Sequence, residues 1–158
     1  MGAVAKGYAA QQVCDMLPEG YMLNLGGNVC ATGAKPNGEN WSIGIQNPLD
    51  ENSEVMCVLS IDKGSVVTSG DYQRYYTVNG KRYNHIIDTS TLMPGEKWSA
   101  VTVICMDSAI ADGLSTALFL TDRQTGEKLL SKYDAQALWV TKDGNYEYTS
   151  GFEKYLAE

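Results

Sequence analysis

Three turn-forming groups, Asp62-Lys63-Gly64, Asn79-Gly80 and Asp143-Gly144-Asn145, each stand between two short runs rich in β-branched and aromatic residues. Glycine and asparagine accept the positive φ of tight hairpin turns, so each group predicts a pair of neighbouring antiparallel strands. The pairs are residues 55–61 with 65–69, 72–78 with 82–87, and 137–141 with 146–149. Residues 21–29, interrupted at Gly26-Gly27, read as a further strand, as do 41–45 and 100–105.

Apolar residues at Val4, Tyr8, Val13 and Leu17 recur at near-helical spacing until Pro18 and Gly20 stop them, which predicts a first helix over 4–17. Asp107 is placed to cap a second helix reaching about Leu120, and a third is expected over 125–132. Strands outnumber helices and most neighbours are hairpins. The expected fold is therefore α+β, a mainly antiparallel sheet with helices packed on one face. At 158 residues and 44% hydrophobic composition the chain buries one sizeable core, and a single domain over 1–158 is expected.

The formal net charge of −7 argues against a nucleic-acid partner, because neutralising phosphates takes clustered Lys and Arg. An acidic chain that handles phosphates needs a metal. His85 is the only histidine, which excludes two-His and three-His centres and leaves oxygen ligands, the preference of magnesium and calcium. The four cysteines, Cys14, Cys30, Cys57 and Cys105, form no CxxC pair and read as buried small hydrophobes. No apolar run approaches the roughly 18 residues of a membrane span, and the N-terminus lacks signal-peptide features, so the chain as written is expected to be soluble.

Several segments carry functional residue types. Gly26-Gly27 serves either a turn or bulge, or the close approach of a ligand. Thr68-Ser69-Gly70-Asp71-Tyr72 offers hydroxyls at a strand end, suited to a phosphate or ring and equally to a locally bonded turn. Along 85–88, strand alternation puts His85 and Ile87 on one face and Ile86 and Asp88 on the other. Asp112 and Thr116, four residues apart on the predicted helix, share a face and can hold a small cation, or simply hydrogen-bond one another. Tyr72, Tyr75, Tyr76 and Tyr83 fit half-buried strands better than a stacking site.

Taken in order, these segments resemble the FAD:protein FMN transferase (ApbE-like) family, in its C-terminal portion. Ala3-Val4-Ala5-Lys6-Gly7-Tyr8 is similar to the family's A-K-G-Y helix start, and Asn24-Leu25-Gly26-Gly27-Asn28 to its Gly-Gly motif. Thr68-Ser69-Gly70-Asp71-Tyr72 matches T-S-G-x-Y. His85-Ile86-Ile87-Asp88 with Thr91 and Pro94 resembles H-I-I-D-P-x-T-G-x-P, and Ala111-Asp112 with Thr116-Ala117 resembles A-D-x-x-x-T-A.

The resemblance implies a T-fold-like α+β domain and a magnesium-dependent cleavage of FAD. FMN would pass to a Thr or Ser hydroxyl of an acceptor protein and AMP would leave, with plain hydrolysis of FAD as the variant outcome. It places Asp112, Thr116 and the Ala3 carbonyl on the metal, and Lys6, Gly26, Gly27, Thr68, Ser69 and Gly70 around FAD. His85 and Asp88 would join Asp112 in catalysis, with proton transfer at His85. Gln11 stands where the family has Asp, which turns an expected carboxylate contact to the nucleotide into an amide. Thr89 and Leu92 replace the Pro and Gly of the His-containing loop. The family's N-terminal half has no counterpart here, and the surface it would cover is expected to self-associate. A non-catalytic flavin- or nucleotide-binding module is the competing expectation. Family members are often exported, membrane-anchored lipoproteins, but location is not legible in this chain.

Overall fold

The computed structural model describes residues 2–50 and 55–157. In chain order the elements are α1 (Ala5–Met16), β1 (Met22–Asn24), β2 (Asn28–Ala31), β3 (Trp41–Gln46), β4 (Val55–Ile61), β5 (Gly64–Gly70), β6 (Tyr75–Val78) and β7 (Lys81–Asn84). There follow β8 (Ile87–Asp88), β9 (Met93–Pro94), β10 (Ala100–Cys105), α2 (Ser108–Leu120), α3 (Arg123–Leu130), β11 (Gln136–Val140), β12 (Tyr146–Tyr148) and a 3₁₀ turn, Glu153–Tyr155.

A six-stranded sheet of order β1-β2-β5-β10-β11-β12 forms the middle layer, and every named strand pair is antiparallel. Strand alternation sends Val67, Val101, Val103, Ala137 and Trp139 to the helical side, where Leu114, Leu118 and Phe119 of α2 meet them. The other side, with Val29, Val66, Ala100, Ile104, Leu138 and Val140, is covered by the β3–β4 pair through Ile43, Ile45, Leu59 and Ile61. The helices thus share one face, as the sequence predicts, and a small second sheet covers the other. Asp107 caps α2 by accepting the Ile110 amide at 2.9 Å, and Asp122 starts α3 two residues before the predicted boundary by accepting the Thr125 amide.

Two predicted pairings differ. Residues 55–61 and 65–69 do not form a hairpin: β4 pairs with β3, whereas β5 is held between β2 and β10, so both its edges are taken. Gly64, at φ +107, turns the chain from one sheet into the other. Residues 21–29 are not one interrupted strand either. Gly26 and Gly27, at φ +59 and +93, turn the chain back so that β1 and β2 pair with each other. The Asn79-Gly80 and 141–145 hairpins form as predicted.

Cys14, Cys30 and Cys105 are buried and Cys57 half-buried, all as free thiols; burial pushes the Cys14 thiol up to about 12. Tyr75 and Tyr76 are exposed, and Tyr76 stacks on Tyr83 at 5.5 Å. Among the described residues no helix is long and apolar enough to cross a membrane.

Candidate functional site

The closest approach of two helices builds the first wall of the site. Gly7 of α1 lies so near α2 that a Cβ there would collide with the Ser108 carbonyl oxygen and come within 2.5 Å of Asp112 Cβ. Without a side chain at position 7, the Gly7 amide reaches Asp112 and donates to its Oδ2 at 2.8 Å. Asp112 is only 6% exposed. Its Oδ1 has no hydrogen-bond partner among the described residues. Asp112 lines a cleft, and Oδ1 is not among the fully buried polar atoms, so it is open there to water, a ligand or a cation.

One turn further along α2, the Thr116 hydroxyl donates weakly to the Asp112 carbonyl at 3.3 Å and stands 3.4 Å from Ser69 Oγ. Ser69 Oγ in turn bonds Ser115 Oγ at 2.8 Å. The hydroxyl-to-carboxylate bond that the Asp112–Thr116 spacing allows is therefore not the one formed: Thr116 bonds backbone, and the carboxylate stays free to act elsewhere.

A cleft of about 410 Å³ opens on this pair and is lined by Ala3, Lys6, Thr68, Ser69, Gly70, His85, Asp112 and Thr116 among others. Residues singled out from four separate sequence segments thus come together. Lys6 Nζ donates to the Gly26 carbonyl at 3.3 Å and pairs with no carboxylate among the described residues. Gly26 and Gly27 form the turn opposite it, where the Asn24 side chain accepts the Gly27 amide at 3.0 Å. His85 Nδ1 lies 3.1 Å from the Arg74 carbonyl, which also accepts the His85 amide. A carbonyl only accepts, so Nδ1 carries the proton there and Nε2 of the neutral ring is left as an acceptor.

Gly26, Gly27 and Asp88 fall outside the lining, whereas Thr68 and Gly70 belong to it. Thr68 and Ser69 point to opposite faces of β5: the Thr68 hydroxyl bonds Thr102 Oγ1 at 2.8 Å on the side of the small sheet. Gly70 lies beneath the Tyr72 ring. Asp88 does not line the cleft; its Oδ1 accepts both the amide and the hydroxyl of Ser90, and those bonds hold its carboxyl below the usual aspartate range. Gln11 is also elsewhere, accepting the Ser108 amide at the start of α2 and donating to Asp15.

Sequence reasoning missed Arg74 and Gln73, which line the cleft between Gly70 and His85. The available signal was an arginine following the Thr-Ser-Gly-Asp-Tyr segment in an acidic chain. Among the described residues, no three His, Cys, Asp or Glu side chains gather as a metal-binding group. Any ion at Asp112 would therefore rely on hydroxyl, carbonyl, water or ligand oxygens, a donor set that fits magnesium.

Comparison with known proteins follows the same residues. The ApbE family model matches residues 1–139. The FAD:protein FMN transferase of Klebsiella pneumoniae (strain 342) is 38% identical over 149 residues, covering 90% of this chain and 45% of that protein. The Salmonella typhimurium protein of the same name is 30% identical over 162 residues, covering 99% of this chain and 45% of its own. The crystal structure of the ApbE protein from Thermotoga maritima matches with a TM-score of 0.91 at 33% identity, covering 99% of this chain and 53% of that one. The flavin transferase ApbE from Vibrio cholerae matches at 0.79 and 29% identity, with 98% and 51% covered. The chain spans about half the length of the curated relatives it matches.

Proposed function

This chain belongs to the ApbE family, and from that premise we propose that its cleft binds FAD with the pyrophosphate at Asp112 and Thr116, for magnesium-dependent transfer of FMN to a Thr or Ser hydroxyl of an acceptor protein. The observation that carries the reading is the buried Asp112 carboxylate, held on one oxygen by the Gly7 amide and unpartnered on the other. The residues fit the ion: one carboxylate, the Thr116 hydroxyl and the Ala3 carbonyl are hard oxygens, and the pyrophosphate and water complete the set. A magnesium ion there supplies charge to offset what builds on the phosphate oxygens as the P–O bond breaks.

The chain's own residues do the rest. Lys6 and Arg74 bring positive charge to the cleft wall and orient the diphosphate. The acceptor hydroxyl oxygen attacks the FMN phosphorus, the bond from that phosphorus to the oxygen of the AMP phosphate breaks, and AMP leaves with that oxygen. The hydroxyl proton passes to His85 Nε2, with the ring oriented by the bond between its other nitrogen and the Arg74 carbonyl. Asp88 acts at a distance, by shaping the loop through Ser90.

AMP release from FAD at millimolar magnesium tests the reading, with the chain alone and with the chain joined to the N-terminal half of a relative. Release that depends on magnesium and disappears in Asp112→Ala is expected. Absence of AMP in both formats, together with FAD binding that Asp112→Ala leaves unchanged, would end it.

A further inference from the structure

Among the described residues two hydrogen bonds join α1 to α2. The Gly7 amide donates to Asp112 Oδ2 at 2.8 Å, and the Ser108 amide donates to Gln11 Oε1 at 2.7 Å. Gly7 and Gln11 lie one turn apart on α1, and Ser108 and Asp112 one turn apart on α2, so the earlier residue of each helix meets the later residue of the other. The helices therefore run antiparallel along this seam and are attached at two points about 5.4 Å apart, one helical turn. A single attachment leaves a helix free to pivot about it, whereas two fix its rotation and its slide.

The Gln11 bond depends on which end of the side-chain amide faces α2. Gln11 Nε2 donates to Asp15 Oδ1 at 2.7 Å. A carboxylate only accepts and a backbone amide only donates, so Asp15 holds the NH2 end and turns the carbonyl end to Ser108. A carboxylate at position 11 would stand one turn from Asp15, where like charges repel. The attachment matters most at the start of α1, which brings Ala3 and Lys6 to the cleft and the Gly7 amide to Asp112. That end has no cap of its own: Val4 makes no side-chain capping bond and the first turn carries no acid. At the start of α2 the Ser108 amide has no acceptor within its helix, and Gln11 supplies one.

We infer that Gln11 is a positioning residue for the ion site: oriented by Asp15, it pins α1 to the first turn of α2 and so keeps the Ala3 carbonyl and the Gly7 amide in register with Asp112. The inference rests on the reading above, in which an ion is held by Asp112, Thr116 and Ala3. Gln11 does not line the cleft and acts only through the crossing of the two helices. Position 11 thus belongs to the helix seam and not to the nucleotide.

Magnesium titrated into the full chain with saturating FAD, and followed by the amide resonances of Gly7 and Asp112, tests it. In Gln11→Met, which keeps the length of the side chain and removes its carbonyl, the magnesium dissociation constant is expected to rise at least tenfold. Ile61→Val, a truncation in the core on the other side of the sheet, is the control for stability alone: it should lower the melting temperature comparably and bind magnesium as the parent does. Gln11→Glu with Asp15→Asn exchanges the amide and the carboxylate, which leaves an acceptor for Ser108 and a donor one turn away, and should restore the parent's affinity. An affinity in Gln11→Met equal to the parent's, an equal loss in Ile61→Val, or a double variant no better than Gln11→Met would each overturn the inference. A parent chain whose resonances ignore magnesium sinks the ion reading and the inference with it, whereas a magnesium response that Gln11→Met leaves unchanged sinks the inference alone.

Discussion

The two walls of the cleft are built on different physical terms. On one side, α1 and α2 cross so closely at Gly7 that backbone touches side chain, and Asp112 is set in a wall continuous with the buried core at Ala111, Leu114 and Leu118. On the other, residues 85–94 are an exposed loop between short strands, held by local bonds: Ser90 to Asp88, and the Leu92 amide to the Asp88 carbonyl at 2.7 Å. Only Ile86 of that loop is anchored in the core. The Asp112 side thus inherits the rigidity of the fold, whereas the histidine side depends on a few solvent-exposed contacts that open at low cost. Such a division would suit the proposed function, in which the ligands of an ion stay fixed while a dinucleotide enters past the loop.

The sharpest way to break this comparison is to remove the group that the rigid wall exists to hold. In Asp112→Ala, magnesium-dependent AMP release should fall by about a thousandfold or more, the several kcal/mol expected when a metal's charge stabilisation is lost. Circular dichroism should show the fold retained. A tenfold loss or less would mean that Asp112 is not the principal ligand. Next comes Gly7→Ala, which forces a methyl into the helix crossing. Overpacking of this kind costs about 1–3 kcal/mol, so the melting temperature should drop and magnesium affinity with it. A Gly7→Ala protein as stable as the parent would show the crossing to be looser than the wall requires.

How much of this was legible beforehand follows the same division. The Asp112–Thr116 spacing and the Asp107 cap could be read because helical periodicity and capping are local rules. Gly7 could be quoted as part of a motif, but its use could not be read, since nothing in α1 alone says that α2 crosses at that residue. The 62–64 turn misled for a related reason: a turn says that the chain reverses, not which strands are free to pair, and β5 already had β2 and β10 on its edges. Gln11 was read against the nucleotide because the family has a carboxylate there, yet its partner is the Ser108 amide, 97 residues away in sequence. Arg74 escaped notice since a lone exposed arginine carries no periodic signal.

The loop wall offers a milder test through Leu92, which sits at φ +60 where the family pattern has glycine. A left-handed conformation costs a non-glycine residue about 1–2 kcal/mol, and glycine gives back about 0.5–1 kcal/mol of unfolded-chain entropy. Leu92 is 77% exposed, so little packing is lost on its removal. Leu92→Gly should therefore stabilise the chain by up to about 1 kcal/mol, read as a small rise in melting temperature. A fall would mean that the leucine side chain, not the loop backbone, holds this wall in place.

The smallest effect is a titration. Hydrogen bonds from the Ser90 hydroxyl and amide lower the Asp88 pKa in the folded loop. A group whose folded pKa is depressed contributes its stabilisation in full above the ordinary aspartate value, and loses it as pH falls through the folded one. The contribution is minor because Asp88 is solvent-exposed. Its signature is local: between about pH 6 and pH 2, around the aspartate range, amide exchange over 90–93 should rise relative to that of Leu114 in the rigid wall, whose environment is the apolar core. Asp88→Asn should remove the pH dependence of the loop without touching that of α2. Should Leu114 loosen at the same pH and to the same extent, the two walls would be opening as one unit, and the division between a rigid Asp112 side and a pliant histidine side would not hold.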